Sequence, residues 1–333
     1  MKIGIIAPVW YPIPPVGYGG IELVVSLLTE GLIDNGHEVT LFASGDSRTG
    51  AELVASCDVA PCAQIGQVYP DLIHALTAYV RAADFDVIHD HSGLIGPALG
   101  AFNATPESKR LYGMLNFGLF FNAISDYQRR QFGDLNFVAT VYNAVDLDQY
   151  YFQAEKEDYL LFLGRMNPEK GAHLAVAVAN RVGRRLLMVT KMSEPHERQY
   201  FEAEVKPLLN SNVEIVGEIA PARKAEYCAK AYCTLFPIQW PEPFGLVMLE
   251  SMAAGTPVIA IKNGAVPEVI EDGRSGFVVN GIDEMAAAVD KVASLSPFEC
   301  RAYVEARFSP EKMVGDYEKA YQRILQIRAG QAA

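Results

Sequence analysis

Two glutamates eight residues apart are the first side chains in this sequence whose types and spacing could do chemistry. Glu242 stands in a loop, and Glu250 lies in the apolar segment 246–254, which predicts a helix with almost no polar face. An ionised carboxylate in such a helix is costly without partners. The two vicinal hydroxyls of a ribose could bond Glu250; an internal salt bridge is the alternative. Amides of Gly245 and Leu246, at the predicted helix start, could hold an anion.

Two cations in the second half of the chain could act on a phosphate. Arg165 and Lys170 flank a loop between a predicted strand that ends at Leu163 and a predicted helix that starts near Gly171. Together they could clamp a diphosphate and neutralise its charge as it departs. Two solvated surface charges are the alternative interpretation.

The first strand-to-helix loop, residues 8–22, carries Gly17, Gly19 and Gly20 just before a predicted helix. Glycines in that place let backbone amides approach an anion at a helix N-terminus. A dinucleotide fingerprint would turn directly after the strand, whereas nine residues precede the first glycine here. The spacing therefore disfavours a nicotinamide dehydrogenase, and simple loop flexibility remains an alternative role for the glycines.

Short apolar runs rich in β-forming residues alternate with helical segments along the chain. The predicted strands are 2–7, 39–43, 87–90, 121–124 and 138–142, then 159–163, 186–190, 213–216, 234–238, 257–261 and 276–279. Apolar strands separated by helices predict an α/β fold with parallel sheets covered on both faces. The charged segment 146–158 reads as a linker. We therefore predict domains at 1–150 and 151–311, with a C-terminal helix of about 312–333 that crosses back to the first.

The alternation is interrupted after Phe102. Where a strand is expected, the sequence offers polar residues around Pro106 and Glu107 that suit the start of a helix. Either the domain has lost a strand between these two residues, or residues are absent from the sequence. We favour the second interpretation, because a parallel sheet without an interior strand would lose packing.

Length and composition indicate a globular protein of two domains. The chain has 333 residues, half of them hydrophobic, and a net charge of −12. Residues 1–150 hold 7 Lys and Arg against 16 Asp and Glu, a balance of −9 that disfavours nucleic acid and anionic lipid as partners. Solubility alone is the alternative reason for this charge. No apolar run approaches roughly 20 residues, so we expect no membrane span, and we expect no signal peptide because the first residues already read as a strand. Five cysteines, an odd number, predict reduced thiols and a cytoplasmic location.

Some patterns imitate metal sites. Two Asp-x-Asp pairs, at 84–86 and 146–148, and the triplet His89-Asp90-His91 contain metal-binding residue types. None of them has a neighbour in the pattern that would complete a coordination shell. We expect no metal and no other bound cofactor, and the oligomeric state is left open.

The order of the motifs resembles glycosyltransferase family 4. The resemblance rests on Gly164-Arg165, Lys170-Gly171 and the two glutamates, the first of which is followed by Pro-Phe-Gly-Leu. It extends over nearly the whole chain through the segments GGIE, DVIHDHS, YNAVD, GEIAPARKAEYCAKA and GTPVIA. The resemblance implies a retaining enzyme of the GT-B fold, with two Rossmann-like domains facing a central cleft. Such enzymes use nucleotide-activated sugars without a bound metal.

The same resemblance implies roles for individual residues. Glu250 would bind the ribose, and Glu242 would lie near the donor sugar and the reacting diphosphate. Arg165 and Lys170 would stabilise the leaving nucleoside diphosphate. Backbone contacts to the phosphates would come from four residues in two loops: Gly19, Gly20, Gly245 and Leu246.

Two departures from the family pattern bear on activity. Ala144 stands where the family usually has glycine in Asn-Gly-Val-Asp. The strand missing after Pro106 is the one that normally ends in a histidine facing the donor sugar, and His91 is no obvious substitute because it belongs to the preceding strand.

The prediction is transfer of a hexose, with retention, from a UDP-, GDP- or ADP-linked donor to a soluble acceptor, a small molecule or glycan. A sugar-nucleotide epimerase of the same fold and a non-catalytic sugar-nucleotide-binding protein are the alternatives.

Overall fold

The computed structural model describes residues 1–17, 19–92 and 120–331. The chain forms two compact units, one made of residues 1–144 together with the helix from Pro310 onward, the other of residues 145–309. Our sequence-based boundary lay at residue 150, with the last helix starting at about 312. The interrupted alternation around Pro106 and Glu107 lies outside the described residues.

The first unit contains a parallel sheet of four described strands, in the order β3-β2-β1-β4. These are β1 (Lys2–Ile6), β2 (Glu38–Ala43), β3 (Glu52–Ala55) and β4 (Val87–Asp90). A second parallel pair joins β5 (Phe121–Ala123) and β6 (Phe137–Thr140). The α-helices described within residues 1–144 are α1 (Gly20–Asp34), α2 (Val68–Tyr79) and α3 (Asp126–Gln131). β1 and β2 bury continuous apolar runs, as a strand covered on both faces requires.

The C-terminal helix packs on α1 within this unit. A Cβ atom at Gly31 of α1 would lie 2.5 Å from Cγ2 of Val314, so the absence of a side chain lets the two helices approach closely. Polar contacts add to the packing, because His37 Nε2 lies 2.8 Å from Glu318 Oε1 and Asn35 donates to the same oxygen at 3.0 Å.

The second unit is built on one parallel sheet of six strands, in the order β12-β11-β10-β7-β8-β9. Its strands are β7 (Tyr159–Arg165), β8 (Arg185–Lys191), β9 (Val213–Ile215), β10 (Cys233–Phe236), β11 (Val258–Ile261) and β12 (Gly276–Val279). All six were predicted to within two residues. The chain builds outward from β7 through β8 and β9, then returns to place β10 on the other side of β7. This reversal makes β7 and β10 the switch point of the sheet.

Helices cover both faces of this sheet. They are α4 (Ala172–Val182), α5 (Pro195–Tyr200), α6 (Pro221–Lys230), α7 (Leu246–Ala253), α8 (Val266–Val269), α9 (Ile282–Val289) and α10 (Pro297–Arg307), followed in the first unit by α11 (Pro310–Gln331). One core cluster joins Leu160 and Phe162 of β7 to Val176 of α4 and Met188 of β8. The buried apolar strands that the sequence predicted therefore form the centre of the unit.

One buried carboxylate in the first unit predicts a pH-dependent stability. Asp71, in the first turn of α2, is 3% exposed, and its Oδ1 has no hydrogen-bond partner in the described structure. Burial, and then the nearby Asp90, raise the pKa of Asp71 from 3.8 to about 6. The folded state therefore binds this proton more tightly than the unfolded state, so the stability it contributes is present below about pH 4 and lost as the pH rises through about 6.

Replacing Asp71 with asparagine should increase the free energy of unfolding by about 1–3 kcal/mol at pH 8, because no buried charge then has to be accommodated. At pH 4.5 the gain should be much smaller, since the native carboxyl is already protonated. Urea unfolding at both pH values measures the difference, with Asp58→Asn at an exposed position as the control. An equal effect of Asp71→Asn at both pH values would contradict the prediction.

Candidate active site

The loops that follow β7 and β10 carry the predicted catalytic residues to one edge of the second sheet. Arg165 is the last residue of β7, and Lys170 ends a short 3-10 turn directly after it. Glu242 lies in the loop between β10 and α7. Since β7 and β10 are parallel neighbours at the switch point, these loops leave the sheet side by side, where open parallel sheets bind their ligands.

The structure joins two of the predicted residues directly. Lys170 Nζ lies 2.6 Å from Glu242 Oε2, and the two side chains are 18% and 9% exposed. Trp240 Nε1 donates to the same oxygen at 2.9 Å, while its ring lies 5.4 Å from the Lys170 ammonium. One carboxylate oxygen therefore accepts from two fixed donors. For the other, Oε1, the described structure gives no hydrogen bond, which leaves it for a ligand.

Close backbone packing fixes the two loops. The Glu242 carbonyl accepts from Ala265 N at 2.8 Å, and a Cβ atom at Gly264 would lie only 2.1 Å from that carbonyl oxygen. On the other side, Gly171 has a φ of 70°, and a Cβ there would lie 2.1 Å from the Pro237 carbonyl oxygen. Both glycines are required by close approach, so the backbone positions from which Lys170 and Glu242 project are fixed.

Arg165 brings an unused donor to the same edge. Its Nε is buried and has no hydrogen-bond partner in the described part of the chain. A buried polar group without a partner costs about 1–3 kcal/mol. An anionic ligand oxygen that accepts a hydrogen bond from Arg165 Nε would remove this cost. A phosphate could supply that oxygen, in line with the phosphate-binding role that the sequence predicted for Arg165.

The N-terminus of α7 has features of an anion-binding site. Gly245 has a φ of 90°, and a Cβ atom there would lie 2.6 Å from Met248 Cε. The helix has neither a side-chain N-cap nor an acidic residue in its first turn. Leu246 is its first residue, so the partial positive charge of the helix N-terminus is not offset locally.

Glu250 forms an ion pair with a lysine of the neighbouring helix. It is 5% exposed, and its Oε1 lies 2.7 Å from Nζ of Lys224, which belongs to α6. The internal salt bridge that the sequence left open for Glu250 is thus present. Tyr150 lies beside the pair, and burial followed by the Glu250 carboxylate raises the pKa of the Tyr150 hydroxyl well above its usual value.

Sequence reasoning missed the residues that hold the two glutamates. Trp240 stands two positions before Glu242, and an indole N–H next to a loop carboxylate was the signal that could have identified it. Lys224 is one of several charged residues on α6, and its position in the sequence does not show that it faces another helix. Tyr150 fell in the predicted linker.

The glycine loop belongs to the first unit. Gly19 caps α1 and Gly20 begins it; a Cβ atom at Gly19 would lie 2.7 Å from Pro15 Cβ and 3.0 Å from Glu22 Oε2. Glu22 is buried, and that burial raises the pKa of its carboxyl. The loop is therefore tightly packed at Gly19, and its predicted contact with phosphate stays a prediction.

The metal-like patterns have other partners in the structure. His89 and His91 stack with ring centroids 4.1 Å apart, and His89 Nδ1 lies 2.7 Å from the Tyr321 hydroxyl. No group of three or more His, Cys, Asp and Glu side chains in the described ranges is arranged to hold a metal ion.

All five cysteines are free. None of the described helices combines the length and apolarity that crossing a bilayer requires.

Two family models match the chain. Glycosyl transferases group 1 matches residues 147–307, and Glycosyltransferase Family 4 matches residues 18–106. The chain belongs to the group 1 glycosyltransferases of family 4. It is therefore an enzyme that transfers a sugar, as the resemblance predicted. The family 4 match ends at Pro106, where the predicted alternation of strands and helices is interrupted.

Relatives match over nearly the full chain. A phosphatidyl-myo-inositol mannosyltransferase of Mycolicibacterium smegmatis is 27% identical, over 98% of this chain and 93% of its own. That alignment has 377 positions, more than the 333 residues here, so the relative has residues without a counterpart in this chain. AviGT4, a glycosyltransferase involved in avilamycin A biosynthesis, is 28% identical with a TM-score of 0.75 over 98% of both chains.

A more distant structure bears on the fold. Anabaena HepE, crystallised with UDP and glucose, is 18% identical, with a TM-score of 0.74 over 97% of this chain and 100% of its own. Together with the two parallel-sheet units, these likenesses confirm the predicted GT-B fold of this α/β glycosyltransferase.

Proposed function

We propose that this glycosyltransferase moves a hexose from a nucleoside diphosphate sugar to a hydroxyl of a soluble acceptor, with retention at the anomeric carbon. The observation that carries the proposal is the Lys170–Glu242 pair at the switch point, with the unpaired Arg165 Nε on the same strand end. The two cations are suited to the negative charges of a diphosphate, and the carboxylate is suited to the hydroxyls of a sugar bonded to it.

The second unit offers a separate group for each part of the donor. Arg165, Lys170 and the uncapped start of α7 are suited to the two phosphates. Glu250, one turn into α7, is suited to the ribose hydroxyls, which can both donate to a carboxylate. Which base and which hexose are bound is not encoded in these side chains, so the proposal covers UDP-, GDP- and ADP-linked donors.

The chemistry follows from the charges. As the bond between the anomeric carbon and the phosphate oxygen breaks, negative charge grows on the departing diphosphate, and Lys170 and Arg165 neutralise it. The acceptor oxygen attacks from the same face, and the departing phosphate oxygen takes its proton. Glu242 would use its free oxygen to position the sugar while Trp240 and Lys170 hold the other. Because the two cations supply the neutralisation, the proposal includes no metal ion.

The acceptor is proposed from composition and from the names of relatives. The relative from Mycolicibacterium smegmatis is named for phosphatidyl-myo-inositol, and a relative from Acidothermus cellulolyticus that is 33% identical over 37% of this chain is named a D-inositol 3-phosphate glycosyltransferase. Both names favour a cyclitol hydroxyl. The acidic balance of residues 1–150 favours a soluble acceptor over an anionic lipid surface.

A thermal-shift screen tests the donor class. UDP, GDP, ADP and their sugars would be added without metal, with NAD as the matched control. One nucleoside diphosphate at about 100 times its dissociation constant should stabilise the protein by roughly 2.7 kcal/mol, and NAD should not. Stabilisation by NAD alone, or by none of these ligands, would contradict the proposal.

The identified donor would then be offered to a panel of acceptors: myo-inositol, inositol phosphates, simple sugars, and vesicles containing phosphatidylinositol. Proton NMR of the product reports the anomeric configuration. A product with the configuration of the donor supports retention, and an inverted product contradicts it. Transfer to the vesicles alone would overturn the soluble acceptor while leaving the donor site intact.

A further inference from the structure

An ion pair between two helices of the second unit stands out from the surface pairs around it. Lys224 on α6 reaches Glu250 on α7 at 2.7 Å, and the two side chains are 27% and 7% exposed. Lys230, on the same helix, instead pairs with Glu226 one turn away at 2.8 Å, as exposed helix residues commonly do. The first pair fixes two elements to each other, and a buried pair of this kind must offset a large desolvation cost.

The two side chains of the pair differ in their exposure to solvent. Lys224 is the more exposed partner and Glu250 is the more buried one, so the ammonium is the more accessible end of the pair. The centre of the Tyr150 ring lies 5.8 Å from Lys224 Nζ, so an aromatic side chain also contacts the pair. A ligand at this pair would therefore find an ammonium donor and a carboxylate acceptor side by side.

Carboxylates only accept hydrogen bonds and ammonium groups only donate them, whereas a hydroxyl does both. A vicinal diol can therefore donate to Glu250 and accept from Lys224 at the same time. We propose that Lys224 is a ribose-binding residue and that Lys224 and Glu250 together recognise the 2′,3′-diol of the donor nucleotide. This inference rests on the proposed function, to which it adds the residue that distinguishes a ribose from a deoxyribose.

The test compares ribose and deoxyribose ligands in matched variants. Calorimetry would give the dissociation constants of the nucleoside diphosphate found in the screen and of its 2′-deoxy and 3′-deoxy forms. The wild-type protein should prefer the ribose form by about tenfold or more, as expected for hydrogen bonds to charged groups. In Lys224→Met that preference should fall below about threefold, while Lys230→Met should keep the wild-type ratio.

The ratio is measured within each variant, so a general loss of stability does not change it. Lys224→Gln, which keeps a neutral donor for Glu250, serves if the methionine variant does not fold, and its ratio should also fall. An unchanged ratio in a folded Lys224 variant would overturn the inference and leave the proposed donor site standing. A wild-type protein that binds no nucleoside diphosphate would overturn the proposed function itself.

Discussion

Replacing Glu242 with glutamine should lower kcat by about 100- to 1,000-fold while changing the affinity for the nucleoside diphosphate by less than about threefold. Glutamine has nearly the same shape, and its amide oxygen can still accept from Trp240. What is lost is the negative charge between the Lys170 ammonium and the reacting sugar. An effect on turnover rather than on nucleotide binding is expected, because Glu242 faces the sugar side of the donor in the proposed site.

Steady-state kinetics with the identified donor, together with calorimetric binding of the nucleoside diphosphate, separate the two effects. Glu271→Gln is the matched control, since Glu271 is an exposed glutamate of the same unit that pairs with Arg274. Near-wild-type kcat in Glu242→Gln would remove Glu242 from the reaction. A large loss of nucleotide affinity with unchanged kcat would instead assign it to ground-state binding.

The fold was predictable from the sequence wherever the strands are buried on both faces. β7, β8, β10 and β11 are short, largely buried apolar runs, and each was found from its composition. The edge strands β9 and β12 were found as well, although the residues of β9 are half-exposed or exposed. β3 was missed: it is an edge strand whose residues, Glu52–Ala55, are half-exposed or exposed, and its apolar run, residues 53–55, is only three residues long. Hydrophobic patterning reports burial, so an exposed strand gives a weaker signal than a central one.

The residues of the candidate site were predictable, but their partners were not. Loops at the carboxyl ends of strands identified Arg165, Lys170 and Glu242 as residues of interest. The contact between Lys170 and Glu242 joins positions 72 apart and depends on β10 returning to the side of β7. Strand order is a property of the whole sheet, so no local pattern in the sequence contains it.

Glu250 was recognisable from the sequence, whereas its partner Lys224 was not. A lone carboxylate in an apolar helix is conspicuous, because burial of a charge demands a partner. Lys224 lies on a helix whose other charged residues include Arg223, Glu226 and Lys230, and it looks like any of them. Only the packing of α6 against α7 shows that Lys224 alone among these four bonds Glu250.

Replacing Lys170 with methionine should lower kcat by about 100- to 1,000-fold and weaken nucleoside diphosphate binding by about tenfold, because both the departing charge and the bound phosphates lose a cation. Lys206→Met, at an exposed ion pair, is the control. Since Lys170 and Glu242 share one bond, the double variant should cost far less than the product of the single losses. Multiplicative losses would mean that the two residues act independently, and a raised KM with unchanged kcat would exclude Lys170 from leaving-group stabilisation.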